Sequence, residues 1–169
     1  MSLLPNGQLA SCSRDKSLRI WDPMKGTLMT GLMSKHVQIM CLLVLPNERL
    51  ACGTSSGIIN ICEANDDACI VSLKGHTSYV WQLLLAESGE LISCSSDETI
   101  KIWDVNNATC IANLVGHKNV VRSIRICQNS LLISGSLDGT IKTWCLITGA
   151  CISTFNGHDG ESICNLLLI

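Results

Sequence analysis

A thirteen-residue pattern returns along this chain at a spacing of 41, and that recurrence leaves few folds open. The clearest copy is Leu132-Ile-Ser-Gly-Ser-Leu-Asp-Gly-Thr-Ile-Lys-Thr-Trp144. Two short apolar runs flank Asp138-Gly139, and Asp-Gly between alternating strand-formers is a strong hairpin signal. A near copy ends at Trp103, 41 residues earlier, and another ends at Trp21, 82 before that. A degenerate copy, Leu50 to Cys62, fills the gap where the period requires one. A second anchor keeps the same spacing, in Gly75-His76, Gly116-His117 and Gly157-His158, with Lys35-His36 lying 40 before the first. Self-similarity at this period marks a repeat architecture in which each unit is one supersecondary element.

Gly-His followed by about 27 residues and then Trp resembles the WD-repeat (WD40) family, whose units fold as four-stranded blades of a β-propeller. Trp21-Asp22 and Trp103-Asp104 keep the name-giving dipeptide, whereas Cys62-Glu63 and Trp144-Cys145 depart from it. The resemblance implies an all-β WD40 propeller with about four blades' worth of four-stranded antiparallel sheets. The units run over 1–32 (partial), 33–73, 74–114, 115–155 and 156–169 (partial, first strand only). In the third unit the strands are expected at Tyr79 to Leu85, Leu91 to Ser95, Thr99 to Val105 and Cys110 to Leu114. In the fourth they are expected at Val120 to Ile126, Leu131 to Ser134, Ile141 to Cys145 and Cys151 to Phe155. Gln8 to Cys12 reads as the second strand of a three-stranded opening blade, and Ser162 to Ile169 as a lone final strand. That count allows a closed four-blade ring or a slice of a larger propeller. The apolar ending favours the slice, whose open edges would self-associate or need the rest of the ring.

The intact units place His, Ser, Asp and Trp at fixed spacing, as His76, Ser93, Asp97 and Trp103, and as His117, Ser134, Asp138 and Trp144. Ser11, Asp15 and Trp21 are the first unit's share, while Cys52, Ser56 and Cys62 replace three members in the second, leaving His36. The family resemblance implies that each set is a buried hydrogen-bonded chain tying one blade together. A Ser, a His and an Asp also invite a serine-hydrolase reading, but a triad has no reason to recur at one period. No catalytic residue, metal ligand or cofactor is assigned, and the chain is read as a non-enzyme.

Function is then expected on the rim, where the resemblance to other propellers implies contacts from the residues before each turn Asp and those three and five after each His. The candidates for contact with a protein or peptide partner are Arg14, Tyr79, Trp81, Ser96, Arg122 and Leu137. Trp81 breaks the period, with Arg122 as its counterpart 41 residues on, and serves either to pack between blades or to contact a partner. Units of this form are also similar to F-box/WD substrate receptors of ubiquitin ligases. That resemblance implies arginines at the places of Arg14 and Arg122 that hold a phosphorylated peptide.

Lys and Arg total 12 against 14 Asp and Glu, scattered through a chain of net charge −2, so neither nucleic acid nor an anionic membrane is an expected partner. No small-molecule substrate is expected either. The N-terminus lacks the basic and apolar regions of a signal peptide, and no apolar run reaches spanning length. The eleven cysteines contain no Cys-x-x-Cys pair; they read as small buried hydrophobes in a reducing compartment, cytoplasmic or nuclear.

Overall fold

The computed structural model describes residues 1–33, 37–64, 69–127, 130–157 and 161–167. Sixteen strands follow one another there without a helix. The first sheet holds β1 (Ser2–Leu3), β2 (Leu9–Cys12), β3 (Ser17–Asp22) and β4 (Thr27–Met33). The second holds β5 (Ile39–Val44), β6 (Arg49–Thr54), β7 (Ile59–Glu63) and β8 (Cys69–Leu73). In the third are β9 (Val80–Leu85), β10 (Leu91–Ser95), β11 (Thr99–Asp104) and β12 (Thr109–Val115). The fourth contains β13 (Val121–Cys127), β14 (Leu131–Ser136), β15 (Thr140–Cys145) and β16 (Cys151–Asn156). Each sheet is an antiparallel meander in chain order, the arrangement of four propeller blades.

The expected strands of the third and fourth units are present, most with ends displaced by a residue or two. Two expectations at the ends need correction. The first sheet has four strands, not three, because Ser2 and Leu3 pair with Ala10 and Leu9. Ser162–Leu167 forms no strand; Leu168 and Ile169 lie outside the described residues. What this segment does instead is lie against the face of the fourth sheet, with the Ile163 amide donating to the Ser136 carbonyl at 3.0 Å.

The hairpins are built by one recurring turn. Lys16, Gly57, Glu98 and Gly139, 41 apart, all take positive φ, at 72, 85, 69 and 80°. In three of these turns the preceding Asp accepts the amide two residues on: Asp15 from Ser17, Asp97 from Thr99, Asp138 from Thr140. Asp side chains bond their own backbone in this way, and the left-handed residue that follows lets the strands turn back on themselves. A second shared feature is a register shift where β3, β11 and β15 meet their outer strands, just before Trp21, Trp103 and Trp144.

Three apolar clusters lie between consecutive sheets. Ala10, Leu18 and Ile20 of the first sheet meet Ile39 and Leu50 of the second. Ile59, Ile61 and Leu73 of the second meet Val80, Leu83 and Trp103 of the third. Ile92, Ile100 and Leu114 of the third meet Val121, Leu132 and Trp144 of the fourth. Inner strands are therefore apolar on both faces, because each face is covered by a neighbouring sheet. Among the described residues no such cluster joins the fourth sheet to the first.

All eleven cysteines are free, but the expectation that they are buried fails for most. Only Cys52 and Cys94 are buried, while Cys69, Cys110, Cys151 and Cys164 are exposed. Cys69, Cys110 and Cys151 share one position at the start of the outer strand, where a sheet has no further strand beside it. Where burial is deep it acts on the thiol: desolvation pushes Cys94 up to about 12 despite a backbone bond from Gln82.

Candidate functional site

Two polar constellations stand at the same end of the sheets, one buried and one open. The buried one is the expected tetrad. In the third sheet His76 Nδ1 lies 2.8 Å from Asp97 Oδ2 and His76 Nε2 lies 2.7 Å from Ser93 Oγ. Trp103 Nε1 donates to the same Ser93 Oγ at 2.8 Å. The fourth sheet repeats this with His117, Asp138, Ser134 and Trp144 at 2.9, 2.7 and 2.8 Å. An ionised Asp can only accept, so Nδ1 carries the proton, Nε2 accepts from the serine hydroxyl, and that oxygen accepts from the indole. Every donor finds an acceptor, and the His, Ser and Trp of each set are buried while the Asp at its end is half-buried.

Electrostatics agree with this arrangement. Burial opposes ionisation of Asp97, yet the His76 and Thr99 hydrogen bonds hold its carboxyl far below the ordinary 3.8. Asp138 is held down likewise against burial, by Thr140, the Lys118 amide and His117. Burial lowers His117 from 6.5, outweighing its bond to Asp138, and so favours the neutral ring. All three native values lie below their unfolded ones, so each contribution is complete above the unfolded pKa and is lost as pH falls. The thermal midpoint should thus hold steady above pH 7, decline as pH falls below about 6.5 through His117, and fall again below about 4 through the two carboxylates. Calorimetry across pH checks this, and a midpoint that rises on acidification from pH 7 to 5 contradicts it.

In the first sheet Trp21 Nε1 donates to Ser11 Oγ at 2.8 Å, and Asp15 accepts from Ser17 at 2.6 Å and faces Arg19 at 3.7 Å. In the second, Ser56 pairs with Thr54 at 3.0 Å, and His36 lies outside the described residues, as does His158. Ser93 and Ser134 are fully buried, under Trp103 and Trp144, so neither hydroxyl is open to a substrate.

Sequence reading missed a third hydroxyl in the network. Ser95 bonds the Ser78 carbonyl at 3.2 Å and accepts the Asp97 amide at 3.1 Å; Ser136 does the same with Asn119 and Asp138, both at 3.0 Å. The signal was there, because Ser13, Thr54, Ser95 and Ser136 are 41 apart and all carry a hydroxyl.

The open constellation gathers four of the six candidate contact residues. Tyr79 stacks on Trp81 with centroids 5.7 Å apart and planes 13° from parallel. The Arg122 guanidinium, from the neighbouring sheet, sits 3.6 Å from the Trp81 ring centroid. Trp81 Nε1 donates to Ser96 Oγ at 2.6 Å, fixing the ring. Trp81 also packs one side on the cluster between the third and fourth sheets, so it is both a wedge and a surface group. Tyr79 is 41% exposed. Leu137 occupies the turn equivalent to that of Ser96, its amide bonded to the Val120 carbonyl at 2.9 Å as Ser96 is to Tyr79. Arg14 is exposed on the first sheet, apart from this group.

A groove of about 1020 Å³ opens between the third and fourth sheets at their opposite end, lined by Glu87, Glu90, Ile111, Ile147 and others. It is where two wedges splay apart and it holds neither aromatic nor cationic side chains, so the aromatic cluster is the stronger candidate.

Comparison with known proteins agrees with this geometry. The family described as WD domain, G-beta repeat, matches residues 1–22, 67–104 and 108–145. No curated protein sequence matches the chain. A solved chain in the crystal structure of the mitotic checkpoint complex is similar in fold, with a TM-score of 0.85 at 24% identity. The match covers 97% of this chain and 52% of that one, so the present chain spans about half its length. No helix among the described residues is long and apolar enough to cross a membrane.

Proposed function

This chain belongs to the WD-repeat family of β-propellers, and on that premise we propose that it is a non-catalytic platform that docks a protein or peptide on the rim bearing Tyr79, Trp81, Ser96 and Arg122. The observation that carries the reading is the preassembled stack: Arg122 on Trp81 at 3.6 Å, with Tyr79 on the same indole. Tyr, Trp and Arg are the side chains that dominate binding energy at interfaces, and rings already fixed in place lose little freedom when a partner arrives. The buried serines support a platform over an enzyme, and eleven free thiols suit a reducing, cytoplasmic setting.

The test is affinity capture from cell extract with the wild type, Trp81→Ala and an outer-strand control, Ile111→Ala, followed by titration of the captured partner. Trp81→Ala should weaken binding about 30-fold, a hot-spot loss of roughly 2 kcal/mol, and Ile111→Ala should leave it unchanged. Equal affinity for Trp81→Ala and wild type contradicts the assignment.

A narrower reading, a phosphopeptide-reading substrate adaptor of a ubiquitin ligase, has one observation in its favour. Among the described residues Arg122 has no carboxylate or hydrogen-bond acceptor, so the edges of its guanidinium are free for an anionic group. Phosphorylated peptides should then bind more tightly than plain ones, and Arg122→Ala and Arg14→Ala should erase the difference.

A further inference from the structure

The two ends of the row of sheets differ from its middle in how far their faces are covered. Positions facing the following sheet are closed in the first three sheets: Ala10, Leu73 and Ile100 have no exposed surface. In the fourth sheet the same positions are open. Ile133 and Ile141 are only half-buried, and Phe155 is 52% exposed where its counterpart Leu114 is 2%. Facing the other way, Leu50, Leu91 and Leu132 are all at 0%, while their counterpart Leu9 is half-buried; Trp103 is at 0% and its counterpart Trp21 is half-buried. Leu3, beside Leu9 on the same side, is 66% exposed. The uncovered faces are thus the two halves of an interface that the chain already makes three times.

The inner strands carry the same complementarity. Gly53 seats Val80 of the next sheet, and a Cβ built there would meet Val80 Cγ1 at 2.8 Å. Gly135, two periods further on, seats Ile163 in the same manner, at 2.6 Å from its Cγ2. Gln82 accepts the Ile124 amide of the following sheet, and Ser123, its counterpart, accepts the Leu166 amide. The segment from Ile163 to Leu166 therefore lies where the first four residues of a fifth sheet's inner strand would run. In the first sheet β1 supplies only the last part: two residues pair, against five between β9 and β10.

We propose that the fourth sheet's open face takes the first sheet of a second copy of this chain, head to tail, with the segment from Ile163 to Leu166 completing that sheet's inner strand. Head-to-tail contacts between different surfaces close into rings when the rotation permits. Two copies carry eight sheets, and one copy spans 52% of the similar solved chain, so two supply a ring's worth. This association is separate from the Trp81 rim, and its failure would leave the docking proposal untouched.

Light scattering on the full chain across a dilution series tests it. The wild type should show twice the 18.3 kDa of one chain, dissociating on dilution. Phe155→Glu on the fourth sheet and Leu3→Glu on the first should each be monomeric with unchanged circular dichroism, since both side chains are exposed within one copy. Mixing the two variants should restore dimers, because the fourth sheet of Leu3→Glu and the first sheet of Phe155→Glu are both intact. A wild type that is monomeric throughout overturns the proposal. So does a variant that associates like wild type, or a mixture that stays monomeric.

Discussion

Replacing Ser93 with alanine should lower the unfolding free energy by about 3 kcal/mol, because one hydroxyl serves two buried partners. Without it, His76 Nε2 loses its donor and Trp103 Nε1 its acceptor, in a place no water reaches. Each orphaned group costs roughly 1–3 kcal/mol, and only part is recovered by relaxation. The chain holds its own control. In the first sheet Ser11 accepts from Trp21 alone, and that indole is only half-buried, so Ser11→Ala should cost about 1 kcal/mol or less. Urea unfolding of the two variants checks the ratio, and equal losses would remove the network from the account of stability.

Gly57→Ala should cost a similar amount, about 3 kcal/mol, for a reason of backbone and not of side-chain chemistry. Gly57 sits at φ 85°, where an L side chain is strained, and its added Cβ would overlap the His76 carbonyl oxygen of the adjoining sheet. The Ser78 carbonyl lies only 3.1 Å away on the same side, so the loop has no room to retreat. The equivalent position on the third sheet predicts the opposite sign. Glu98 holds φ 69° with its side chain exposed, and Glu98→Gly should stabilise by about 0.5–1 kcal/mol through relief of that strain. Paired chemical denaturation curves separate the two.

The middle of the fold was legible in the sequence because period, turn chemistry and apolar pattern agree there. Asp97 and Asp138 fix the turns, the Trp residues fix the third strands, and β10 falls on the residues expected. The ends were not legible. Ser2 and Leu3 are too few to read as a strand, and pairing with Ala10 and Leu9 is visible only once the sheet exists. The run from Ile163 onward has strand composition, but a strand requires a partner edge, and this segment meets a sheet face. The cysteine at the start of each outer strand shows the same limit. Its period establishes equivalence, and exposure depends on whether another strand lies beside it.

The aromatic site was half legible. Trp81 stood out by breaking the repeat, and its pairing with Tyr79 and Ser96 follows from a shared sheet. The contact with Arg122 crosses sheets, and it exists because residues 41 apart occupy neighbouring positions around the arc. Arg14 satisfied the same sequence criterion but lies on the first sheet, away from the cluster.

The claim on which the rest depends is that the His-Ser-Asp-Trp sets hold sheets together. Amide hydrogen exchange across the second and third sheets tests it most directly, because both are covered on two faces and differ chiefly in the tetrad. Exchange should be slower over 79–103, where His76, Ser93, Asp97 and Trp103 are joined, than over 37–62, where Cys52 and Cys62 stand in place of Ser and Trp. Equal protection in the two stretches, or faster exchange in 79–103, would contradict the account.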